Sequence, residues 1–223
     1  QVGGTITVKS SDDGLNAKDW TLESSDEQGP GQQTKKVKSE ATNAKNLDRV
    51  GDVKIVIDGG TLTVDAEGDG LDANGSIEIN GGTIVVNGPT SGANAALDYD
   101  DNGILNGGTV LFVDNGQMTM GFGSDSNQAY LMASIQGTAG STVEVVDSSG
   151  KTVASLKASK SFSTVLISSP EIKDGEKYTI KVGSNTTTAT ASKEAANLGG
   201  GPGQGGPGGG QPGQGDPGGR QGR

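Results

Sequence analysis

The chain has no cysteine and no histidine, and its 223 residues include one tryptophan, three tyrosines and three phenylalanines. The first two absences exclude disulfide scaffolds, thiolate or imidazole metal centres, and catalysis by Cys or His. No apolar run approaches the roughly 20 residues that a membrane-spanning helix needs, so no membrane span is expected. Cations are outnumbered, 17 Lys plus Arg against 27 Asp plus Glu. Phosphate neutralisation needs clustered basic residues, so nucleic acid is not an expected partner. Hydrophobic residues reach only 30%, a level at which a chain can fail to bury a core. Two patterns argue for folding all the same: glycine is clustered, and the apolar residues alternate.

Of the 40 glycines, 14 lie in residues 199–223, together with Pro202, Pro207, Pro212 and Pro217. Each of these prolines is followed by glycine, which presets a type II turn. This pentapeptide tail carries no large apolar residue and reads as a linker or assembly segment.

The other glycines punctuate a repeat. Gly-Gly-Thr recurs at Gly3, Gly59, Gly81 and Gly107, with spacings of 56, 22 and 26 residues. Each copy opens a short β-branched run that reads as a strand. Further strands are predicted over 52–58, 76–80 and 103–106. Short strands at this period with glycine corners predict a short right-handed parallel β-helix, a solenoid, rather than an antiparallel sandwich. Ile6, Leu62, Ile84 and Val110 would stack inside it, as would Val8, Val64, Val86 and Phe112. The polar stretch 18–50 interrupts the repeat as an inserted loop. From 118 to 192 the pattern changes to an antiparallel β cap at the C-terminal end, with a hairpin over Asp147-Ser148-Ser149-Gly150. Residues 1–117 are thus the repeat, 118–192 the cap and 193–223 the tail. At most one helical turn is expected, at Lys193–Asn197. The chain enters its first repeat strand at once, which predicts a fragment of something longer or an end that docks on another copy.

Each repeat has an acidic corner. Leu15, Leu71 and Leu97 align, and are followed by Asn16, Asp72 and Asp98. Strands about 4.8 Å apart would bring Asp13 over Asp69 and Asp72 over Asp98. Like charges in such a ladder are destabilising unless a cation bridges them. Calcium takes six to eight oxygens in flexible geometry and suits Asp, Asn and carbonyl donors. Asp65-Ala66-Glu67-Gly68-Asp69 and Asp98-Tyr99-Asp100-Asp101-Asn102 also place oxygens at alternate positions. The candidate calcium ligands are therefore Asp13, Asn16, Asp65, Glu67, Asp69, Asp72, Asp98, Asp100 and Asn102. The plain alternative is that these residues serve turns.

The block Gly59-Gly60-Thr61-Leu62-Thr63-Val64-Asp65-Ala66-Glu67-Gly68-Asp69-Gly70-Leu71-Asp72-Ala73-Asn74-Gly75, with Ile77 to Gly82, resembles a bacterial family of secreted carbohydrate-binding proteins. That family has a polysaccharide-lyase-like parallel β-helix, and Lys160 to Pro170 and Gly175 to Tyr178 look like its ending. The resemblance implies an extracellular or cell-surface location, calcium in the solenoid and binding of plant-type or acidic polysaccharide. Trp20 and Tyr99 are the candidate rings for stacking on sugar, with core filler or loop anchor as the alternative. End-to-end stacking of solenoids into a filament is the second reading, a homo-oligomer whose contacts do not close. Lyase chemistry needs a base beside a cation. Lys9 and Lys54 are the lysines on the repeat strands and nothing sets them beside the acidic corners, so no enzyme is expected.

Overall fold

The computed structural model describes residues 3–18 and 53–198. The expected loop at 18–50, the Pro-Gly tail and Trp20 lie outside the described residues, apart from Lys18 and the stretch 193–198. Three successive stretches each lay down three strands. The first gives β1 (Thr5–Ser10), β2 (Leu15–Ala17) and β3 (Lys54–Ile57). The second gives β4 (Thr61–Ala66), β5 (Leu71–Ala73) and β6 (Ser76–Ile79). The third gives β7 (Thr83–Asn87), β8 (Leu97–Tyr99) and β9 (Gly103–Leu105). The chain continues through β10 (Thr109–Asp114), β11 (Thr119–Met120), β12 (Leu131–Gly137), β13 (Thr142–Val146) and β14 (Thr152–Lys157). It ends with β15 (Phe162–Ser168), β16 (Lys177–Val182), β17 (Asn185–Thr190) and β18 (Asn197–Leu198). The protein is all-β, with no helix among the described residues. The turn expected at Lys193–Asn197 is replaced by bends leading into β18, which pairs with β11.

Each strand of the first two rounds, and β7 of the third, pairs in parallel with the strand three places later. The ladders are β1-β4-β7-β10, β2-β5-β8 and β3-β6-β9. Register follows the repeat: Ile6, Leu62, Ile84 and Val110 are partners, as are Val8, Val64, Val86 and Phe112. The glycine corners explain how the rounds lie so close. The second glycine of each Gly-Gly-Thr has φ between 80° and 104°, a region that L side chains rarely adopt. At Gly70 the constraint is steric. A Cβ there would stand 2.2 Å from Val86 Cγ1 and 2.4 Å from the Ala96 carbonyl oxygen.

The large sheet changes character at β10. Its order is β1-β4-β7-β10-β15-β12, with β15 antiparallel to β10 and β12 antiparallel to β15. Val110-Leu111-Phe112-Val113 is apolar throughout and is buried on both faces. Val110 and Phe112 join the core of the repeat, while Leu111 and Val113 join a second core. That second core is completed by the four-stranded antiparallel sheet β14-β13-β16-β17. The four-stranded sheet thus lies against one face of the large sheet, while β15 and β12 continue that sheet beyond β10 at the C-terminal end of the repeat. The end is closed by residues 118–130, where Gly123 N donates to Gly103 O and Gln128 N to Leu105 O. Phe122 seals it, edge-on to Phe112 and Tyr130 at 5.8 and 6.0 Å.

The opposite end is formed by the first round. Among the described residues nothing pairs with the outer edges of β1, β2 and β3. Ile6 is 42% exposed, whereas its register partners deeper in the stack, Leu62 and Ile84, are buried.

Candidate functional site

The β2-β5-β8 ladder sets Asn16, Asp72 and Asp98 in one column, as register partners. Period-2 alternation turns Leu71 and Ala73 inward and leaves Asp72 half-buried at the surface. Beside this column run the corner aspartates. Asp13 Oδ1 accepts from Asp69 N at 2.9 Å, and Asp69 Oδ1 accepts from Ala95 N at 2.6 Å. Each corner carboxylate therefore holds the backbone of the next round through one oxygen. The Asn16 side-chain amide donates to both Asp13 Oδ2 and Asp72 Oδ2. Its nitrogen stands between two carboxylates, where a cation would be favoured.

The electrostatics follow from the crowding. Burial, and then the Asp13, Asp69, Asp98 and Asp100 charges, push the Asp72 carboxyl up to about 6. Burial pushes Asp69 up to about 6, against the Ala95 hydrogen bond and with help from Asp98 and Asp13. Burial and the Asp100 charge also raise Asp98. Ion pairs among the described residues neutralise none of these groups. Among the described residues no three acidic side chains converge on one point, so any bound ion requires side chains to turn.

The remaining expected ligands are distributed otherwise. Asp65 and Glu67 face Lys160, whose ammonium lies 3.5 Å from Asp65 Oδ1 and 3.0 Å from Glu67 Oε1 and donates to Ala66 O at 2.6 Å. A lysine thus stands where a metal was expected to join this pair. Asp100 Oδ2 accepts from Asn74 at 3.1 Å, and Asn102 donates to Asp125 at 3.1 Å. Both bonds join adjacent layers. Tyr99 is held as an anchor: its hydroxyl donates to Gly121 O at 2.6 Å and its ring lies on Gly103.

A second polar column was not anticipated. Asn127 donates to Asn106 at 2.6 Å, Asn106 to Asn80 at 2.8 Å and Asn80 to Asp58 at 2.8 Å. Asp58, Asn80 and Asn106 each precede a Gly-Gly pair, so the signal was present in the corner sequence. No family model, curated protein or solved structure matches this chain.

Proposed function

We propose that the protein is an extracellular, non-catalytic carbohydrate-binding module, built as a right-handed parallel β-helix and stabilised by calcium. The observation that carries the reading is the Asp72–Asp98 column, half-buried and without a cationic partner among the described residues. Two calcium–oxygen bonds of about 2.3–2.6 Å span about 4.6–5.2 Å, which matches the strand spacing of about 4.8 Å. Magnesium, at about 2.0–2.1 Å, falls short of it and prefers to keep water. Asp72 and Asp98 would hold the ion, with Asp13, Asp69, Asp100 and a rotated Asn16 amide around it. Asp65 and Glu67, already neutralised by Lys160, are left out, as is Asn102, whose amide donates to Asp125. The carbohydrate part rests on the resemblance of the Gly59–Gly75 block.

The test is thermal unfolding with excess calcium and with chelator, paired with retention on insoluble glycans under both conditions. A rise in melting temperature with calcium but not with magnesium is expected. Identical melting in calcium and chelator would remove the ion, and no retention on any glycan would remove the ligand class.

A second reading, end-to-end assembly, is favoured by the exposure of Ile6 on the outermost described strand of the large sheet. Sedimentation of the full chain decides it, since association should vanish in Ile6→Glu. A concentration-independent monomer in the unsubstituted protein would dismiss it.

A further inference from the structure

A surface groove with a volume of about 510 Å³ is lined by none of the acidic-column residues. It is formed where the ends of β12 and β15 meet the turn between β16 and β17. A β-bulge between Ser134 and Gly137 interrupts the β12–β15 pairing there. The gap is held open by specific contacts. Asn185 Nδ2 donates to Gln136 O at 2.8 Å and pins the β16–β17 turn as one wall. The Phe162 ring lies against Gly137, where a Cβ would come within 2.2 Å of it, and forms a buried floor. An adjoining depression of about 370 Å³ shares Asn115, Gln136 and Ser163 with the first, so the surface continues beyond a single pocket.

None of the side chains lining either depression is ionisable. That is unusual for a chain in which one residue in five is charged. The lining is instead amide and hydroxyl. Among the described residues the side chains of Gln136, Ser134 and Ser163 make no hydrogen bond, and all three are exposed. Amides and hydroxyls both donate and accept, as sugar hydroxyls do, and bind them without the desolvation cost of a charge. A phosphate or uronate would find no cation here to pair with, and a metal would find no carboxylate.

We infer that this groove binds an uncharged glycan chain, with Gln136 and Ser163 making its central polar contacts across the shared part of the two depressions. The inference rests on the carbohydrate-binding reading and narrows it from plant-type or acidic polysaccharide to neutral polysaccharide.

The experiment uses the full chain, with affinity electrophoresis in soluble xylan and mixed-linkage β-glucan and in polygalacturonate as the acidic comparison. Retardation is expected in at least one neutral glycan, and Gln136→Ala/Ser163→Ala should weaken it about tenfold or more. Ser163→Glu, which puts a charge in the groove, should do the same, with melting temperature confirming that both variants are folded. Undiminished binding by the folded variants would overturn the groove but leave the carbohydrate reading standing. Retardation by polygalacturonate alone would also overturn the groove, and no retardation by any of the three would overturn both.

Discussion

Asp72 and Asp98 stand opposite each other on neighbouring parallel strands, each carboxyl held above its ordinary value by burial and by the other acids around it. A carboxyl with a raised folded pKa binds more protons folded than unfolded between the two values. Stability from Asp69 and Asp72 is therefore fullest below 3.8 and is lost as pH rises through about 6. In chelator, the melting temperature is expected to be higher near about pH 5 than near about pH 7.5. Calcium should remove that difference, and calorimetry at both pH values in each condition checks it.

Replacing one member of the column separates repulsion from ion binding. Asp98→Asn is expected to raise melting in chelator by about 2–4 °C, as about 1 kcal/mol does in a chain of this size. The same variant should lose most of its response to calcium. A variant that melts lower in chelator and keeps its full calcium response would show that Asp98 is not a ligand.

Lys160 provides a control, because it neutralises the acids left out of the ion site. Lys160→Met keeps most of the side-chain volume but strands Asp65 and Glu67. Both carboxylates remain partly solvated, so a loss of about 1–2 kcal/mol is expected from urea unfolding. The rise in melting temperature on adding calcium should be unchanged.

The asparagine column is expected to set register. Asn80→Ala removes its central link and leaves Asp58 and Asn106 each short of a partner, for a loss of about 1 kcal/mol. Asn80→Asp should lose more at neutral pH, since it places a second carboxylate against Asp58. Urea unfolding of the two variants at neutral and acidic pH measures both effects.

Glycine at the acidic corner is a packing requirement. Gly70→Ala forces a Cβ into Val86 and the Ala96 carbonyl and should lose about 1–3 kcal/mol. Gly3→Ala meets nothing within 4 Å and should be close to neutral. Equal melting of the two variants would contradict the stacked corner.

Repetition made half of this fold readable. The Gly-Gly-Thr copies fix the partners of Leu62 and Val64, and the aligned leucines fix Asp72 opposite Asp98, because one alignment predicts every layer. The hairpin of β13 and β14 was equally plain from Asp147-Ser148-Ser149-Gly150. What repetition cannot show is the pairing of β10 with β15, two strands some fifty residues apart with no sequence likeness. The sign lay in Val110–Val113, which alternates nowhere and so needs cover on both faces. β12 and the closing segment around Phe122 follow from that pairing and were missed with it. Lys160 was not legible as the partner of Asp65 and Glu67 because it comes from the distant part of the chain.

The two-faced β10 also bears on how the molecule comes apart. A cut after residue 117 would look harmless on the sequence, between a repeat and its appendage. In the folded chain it would strip Leu111 and Val113 of their cover and take Phe122, Tyr130 and Leu166 out of the other core. Neither piece keeps a complete interior, so the two halves share one fate on heating and should melt in a single cooperative step.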